Sequence, residues 1–190
     1  MADLELRTLL LTDLVDSTAL VDRIGDRRAA EIGERFDRLS RDLLETWNGV
    51  EIDKTDGFLL LFERPLDAVR YGLDMHVGLA ALSAEQGVPI SARCGIHLGE
   101  VTLRKNPAAD VARGAKPLEV EGLAKPLAAR VMSLSEGGQT LITRGAFDVA
   151  QRAATGEPDL EVAIDEIVQD KITLDLSDAE PDDDMGDLIG

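Results

Sequence analysis

Two aspartates carry the chemical interest of this sequence. Asp13 ends the apolar run 5–12, and Asp56 sits in Thr55-Asp56-Gly57 between two further apolar stretches, 43 residues later. Each falls where a strand gives way to a turn, so neighbouring strands could bring both to one end of a sheet. Hard carboxylate oxygens converging there suit Mg²⁺ or Mn²⁺ held together with phosphate groups. Paired divalent ions can stabilise the attacking and leaving oxygens of an in-line displacement. The same residues admit a structural reading, with Asp13 capping the next helix and Asp56 filling a tight turn. No convincing Ser/His/Asp or Cys/His nucleophile accompanies them.

The elements that must position these residues follow from hydrophobic spacing. Residues 5–12 read as a buried strand, and Asp16-Ser17-Thr18 offers helix N-cap chemistry. Ala29, Ile32, Phe36, Leu39, Leu43 and Trp47 recur in steps of three and four, one face of a long helix. Its Phe36, Leu39 and Leu43 portion is core first and dimer interface second. Asn48-Gly49 is a turn signal. Residues 50–54 and 57–62 read as two strands around Asp56-Gly57, a hairpin sequence. Pro65 opens a second long helix running to about Gln86, with Val69, Leu73, Val77 and Ala80 spacing its buried face. Alternation at Ile90, Ala92, Cys94 and Ile96 gives a strand, with Leu98-Gly99 expected to turn into a partner strand over 100–103. A polar loop spans 104–116, a short helix 127–134, a strand 139–143 and a final helix 146–154. This order places the chain in the α/β (α+β) class with a ferredoxin-like, split βαβ core.

The chain has 190 residues and a formal net charge of −17. Residues 157–190 hold 13 Asp/Glu against one Lys, so most of the charge lies beyond residue 156. We divide the chain into a domain over 1–156, an extension of uncertain structure over 157–176 and an acidic, disordered tail over 177–190. Aromatics are only 3% of the sequence, which predicts an aliphatic core. The acidic balance argues against nucleic acid, whose phosphates need cations, and against anionic membrane surfaces. No apolar run approaches the roughly 20 residues of a membrane helix. The lone Cys94 cannot form an internal disulfide, and the first residues lack the features of a signal peptide, so a cytoplasmic location is expected. Cys94 reads as a small core hydrophobe, His97 as a structural imidazole and His76 as a surface or boundary residue.

Five segments, in order along residues 5–150, carry a family resemblance. Leu11-Thr12-Asp13-Leu14-Val15-Asp16-Ser17-Thr18 resembles the Phe-Thr-Asp-Ile-x-Gly-Ser/Phe-Thr opening of class III nucleotidyl cyclase (adenylate/guanylate cyclase) catalytic domains. Asp56-Gly57-Phe58 resembles their Gly-Asp-Gly hairpin, and Arg93 to Val101 (RCGIHLGEV) their R-x-G-I-H-x-G-x-V segment. Gly122 with Leu127-Ala128-Ala129-Arg130-Val131 is similar to their G-x-x-V-N-x-A-A-R-L helix. Gly138-Gln139-Thr140-Leu141-Ile142-Thr143 is similar to the strand after it.

The resemblance implies conversion of ATP, or less readily GTP, to the cyclic 3′,5′-nucleotide and pyrophosphate. It implies two Mg²⁺ or Mn²⁺ ions on Asp13 and Asp56, with the Leu14 backbone carbonyl as a further contact. Arg130 matches the transition-state arginine, and Asp16, Ser17 and Thr18 stand as possible supporting groups around the metals. Lys54 and Glu119 are the candidate base readers; each also fits a plain solvated residue. The family site is shared across a dimer, so a homodimer, or a heterodimer with another cyclase domain, is implied. The loop 110–118 is a candidate for shaping that interface. Three positions depart from the pattern. Pro126 replaces the family asparagine four residues before Arg130, Ile52 stands where the base-reading lysine is usual, and nothing after Ala154 resembles the closing strands. These departures leave a second reading: a cyclase-like nucleotide-binding or dimerisation module with little turnover.

Overall fold

The computed structural model describes residues 4–55 and 57–156. Asp56 and the segments 157–176 and 177–190 lie outside the described residues. The order is β1 (Leu4–Leu14), α1 (Ser17–Ile24), α2 (Asp26–Thr46), β2 (Val50–Lys54), β3 (Gly57–Phe62), α3 (Pro65–Gln86), β4 (Ala92–Lys105), α4 (Ala108–Val111), β5 (Leu118–Glu121), α5 (Ala124–Ser133), β6 (Thr140–Ile142) and α6 (Arg144–Ala154). The sheet runs β2-β3-β1-β4-β5, and β6 pairs parallel with the first part of β4. Its first four strands have the ferredoxin-like arrangement the sequence predicts, with β1 at the centre between β3 and β4.

Successive strand residues point to opposite faces, and the core divides accordingly. On one face Leu10, Phe58, Leu60, Phe62 and Ile96 pack against α2, α3 and α6. On the other, Leu9, Leu59, Leu61 and Val101 meet Ile52, Val120 and, from α5, Ala124 and Ala128. The core is largely aliphatic, as the composition predicts. Aromatics are few, but all four phenylalanines and the single tyrosine are buried. Phe36 meets Phe58 edge-on with ring centroids 5.6 Å apart, and Phe62 and Tyr71 are equally close. Each ring buried this way contributes on the order of 2 kcal/mol or more. The Tyr71 hydroxyl is satisfied by Ser40 at 2.5 Å.

Helix faces are set by contact as well as by period. In α2 the fully buried residues are Ile32, Phe36, Ser40 and Leu44, while Leu39 and Leu43 flank them. In α3, Val77 is 70% exposed, and the buried stripe runs through Val69, Gly72, Met75, Leu79 and Leu82. The expected turn at Leu98-Gly99 does not form, because β4 is one continuous strand. Gly99 serves instead for close approach: a Cβ there would lie 2.8 Å from the Ala124 Cβ. Gly95 does the same more severely, since its Cβ would meet Met132 N at 2.2 Å. These two glycines let α5 lie directly on β4.

Both histidines sit where β6 joins the sheet. The His76 ring pairs with the Thr140 hydroxyl at 2.8 Å, and His97 with the Thr143 hydroxyl at 3.2 Å. Burial holds both imidazoles below the ordinary histidine range. The folded state therefore binds fewer protons than the unfolded chain once the pH falls below the unfolded value of about 6.5. Their contribution is fully present above that pH and is lost on acidification. The thermal midpoint should fall between pH 7.5 and 5.5, a window above the carboxylate range, and His76→Gln should weaken the dependence. An unchanged slope in that variant would show that His76 is not its source.

Candidate active site

Asp13 lies in β1, one residue before its end, and pairs with Gly57 of β3 on one side and Arg93 of β4 on the other. By strand alternation it shares the face of Leu9 and Leu11, the α5 face. Its carboxylate is partly open to solvent, and Oδ2 accepts a hydrogen bond from the Arg93 guanidinium at 3.0 Å. Gly57 packs tightly here, since a Cβ would fall 1.8 Å from the Thr12 carbonyl oxygen. The β2–β3 hairpin closes around position 56, with the Thr55 N–H donating to the Gly57 carbonyl at 3.0 Å. Leu14 pairs with Ala92, and the next N–H, that of Val15, donates to the Ser91 carbonyl at 2.9 Å.

Asp16 occupies the N-cap position of α1 but makes no side-chain cap hydrogen bond, which corrects the capping expectation. Its φ of 54° is left-handed. Asx residues tolerate that conformation, and it explains how Asp16 occupies a position that is glycine in the resembled motif. Ser17 and Thr18 begin α1 and are exposed.

Arg130, on α5, is exposed, and no hydrogen bond or ion pair ties its guanidinium to another described residue. Pro126 is the third residue of α5. An N–H at that position would have no helical acceptor, so proline costs little there, although it supplies no amide side chain.

The base-reading candidates are held elsewhere. A register shift between Glu51 and Asp53 makes Ile52 a bulge residue, and beyond it Asp53 pairs with Leu59 and Lys54 with Phe58. Lys54 therefore projects to the face opposite Asp13. Its ammonium is 3.3 Å from Asp37 of α2 and lies over the Phe58 ring. Asp53, on the Asp13 face, is taken by Lys116 at 2.5 Å. Glu119 lies on the opposite side of β5 from Val120, bound by Asn106 at 2.9 Å and Arg104 at 3.3 Å. Those contacts, Asn106 first, hold its carboxyl below the usual range. Contact with a base would require both side chains to leave these partners. A groove of about 530 Å³ lies at the far end of β1, lined by Arg7, Val50, Phe62 and Leu118, away from Asp13.

The donor chemistry at Asp13 fits a divalent ion. It offers a hard anionic oxygen, the Leu14 carbonyl is adjacent, and a guanidinium already stands at the carboxylate as a surrogate cation. Arg93 lies within the RCGIHLGEV segment, and nothing local to that segment marks it out; only the β1–β4 register sets it opposite Asp13. Among the described residues, no group of three or more His, Cys, Asp or Glu side chains forms a metal cluster.

No family model and no curated protein matches the sequence. Solved structures do. The guanylyl cyclase Cya2 is 22% identical with a TM-score of 0.70, over 78% of this chain and 80% of that one. The adenylyl cyclase CyaB from P. aeruginosa is 19% identical with a TM-score of 0.71, over 79% and 82%. The guanylate cyclase domain of RhGC from Catenaria anguillulae, solved in complex with GTP, is 18% identical with a TM-score of 0.66, over 82% and 85%. The fold is that of class III adenylyl and guanylyl cyclase catalytic domains. No helix among the described residues is long and apolar enough to cross a membrane.

Proposed function

We propose that this protein is a nucleotidyl cyclase that converts a nucleoside triphosphate, ATP or GTP, to its cyclic 3′,5′-monophosphate with release of pyrophosphate. The observation that carries the reading is the partly open Asp13 carboxylate on the α5 face, borne on a strand whose backbone pairs at Asp13 with Gly57, the residue that follows Asp56.

Asp13, Asp56 and the Leu14 carbonyl would hold two Mg²⁺ or Mn²⁺ ions. When bound, these supply charge neutralisation of the triphosphate and a lower pKa for the ribose 3′-hydroxyl. Through those ions Asp13 would orient the phosphates at the sheet end, and the β1–β3 pairing fixes its backbone there. Arg130 stabilises charge developing on the transferred phosphate. Its free guanidinium supports a role across a head-to-tail dimer, where it would serve the Asp13 site of a second copy or of another cyclase domain. The non-canonical dimeric guanylyl cyclase domain of the RhoGC fusion protein from Blastocladiella emersonii shares this fold.

Pro126 favours a second reading, a nucleotide-binding or dimerisation module with little turnover, because it lacks the amide of the resembled motif. Purified protein incubated with Mn²⁺ and either ATP or GTP separates the two. Cyclic nucleotide and pyrophosphate in equal amounts, both lost in Asp56→Ala, are expected. Nucleotide binding with no cyclic product would replace the enzyme by the module.

A further inference from the structure

We propose that Arg93 is the counter-cation that holds Asp13 in place before a divalent ion arrives, and that the ion must displace it; this rests on the reading of Asp13 as a metal ligand.

Arg93 and Asp13 are cross-strand partners on one face of the β1–β4 ladder. On the other flank of Asp13, Gly57 presents no side chain. Among the described residues, Arg93 is the one side chain bonded to this carboxylate. The contact is a single bond from one terminal nitrogen at 3.0 Å, not the two-pronged arrangement that makes arginine–carboxylate pairs strong. The Arg93 Nε is buried and has no hydrogen-bond partner among the described residues. The guanidinium is thus drawn to Asp13 by charge while one of its own donors goes unsatisfied. Such a pair keeps the carboxylate aimed, yet yields to a harder cation. Arg93 is by this argument a positioning residue that sets the affinity and selectivity of the site for metal.

The test is Mn²⁺ binding without nucleotide, followed by electron paramagnetic resonance on the full chain, with circular dichroism to verify folding. Arg93→Gln should bind Mn²⁺ roughly fivefold more tightly than wild type, the scale of a partly exposed ion pair. Arg93→Lys, which keeps the charge, should stay near wild type. Equal or weaker binding in Arg93→Gln overturns the proposal. Mn²⁺ binding that Asp13→Asn leaves intact removes the metal reading itself, a separate outcome. Should Arg93→Gln fail to fold, the wild-type Arg93 guanidinium signal can be followed by ¹⁵N NMR during Mg²⁺ titration. Movement supports displacement, and a stationary signal overturns it.

Discussion

Asp13→Asn is expected to reduce cyclic-nucleotide formation by about a hundredfold or more while leaving the protein folded. The amide matches the carboxylate in size and can still accept the Arg93 hydrogen bond, so the β1–β4 pairing is undisturbed. The lost negative charge is the point. A neutral oxygen binds a divalent ion poorly, and electrostatic stabilisation of the transferring phosphate falls with it. The Asp13–Arg93 pair is partly exposed on both sides, so its loss should cost at most about 1 kcal/mol of stability. The separation between a large kinetic effect and a small thermodynamic one is the diagnostic. It is read by product chromatography at saturating Mn²⁺ beside a urea denaturation curve. A variant that keeps wild-type turnover would remove Asp13 from the chemistry. A variant that unfolds would make it a structural residue.

Gly95→Ala carries a large expected stability effect. The added Cβ would lie 2.2 Å from Met132 N, 2.6 Å from Met132 Cα and 2.8 Å from the Ala128 carbonyl oxygen. All three are backbone atoms, so no side chain can swing aside. α5 must lift from β4, loosening the packing of Ala124, Ala128 and Val131. The cost should be about 3 kcal/mol or more, the upper end of overpacking penalties. Gly33 in α2 is the control, because a Cβ there meets nothing within 4 Å. Gly33→Ala should be neutral or stabilising by up to about 1 kcal/mol. Urea midpoints for the pair measure the difference; equal midpoints would refute the close-packing account of β4 and α5. Since α5 also carries Arg130, lifting it should lower turnover in Gly95→Ala beyond what the unfolded fraction explains.

Local chemistry made much of the architecture legible before any coordinates. Pro65 at the start of α3, Gly87 just after it and the apolar steps through α2 depend on near neighbours along the chain, and those elements appear where the sequence predicts. The short strand β5 and helix α4 were not legible. Four-residue elements carry too little periodicity, and β5 exists because its backbone pairs with the far half of β4. Val77 was misread for a related reason. It continues a good helical stripe, but no element among the described residues covers it.

At the candidate site the division is sharper. By residue type and order, the sequence determined a ferredoxin-like core and an aspartate at the end of its first strand, with Asp56 in the hairpin that follows; Arg130 and Pro126 stood out only through the family resemblance. Only the tertiary structure decided that Arg93 stands against Asp13 and that Lys54 turns to the helix side to meet Asp37. The reason is register. A one-residue bulge near Ile52 reverses which side chains face the site, and pairing between β1 and β4 joins residues 80 positions apart. Cross-strand register is settled by the packing of both sheet faces together, information that no local stretch of sequence contains.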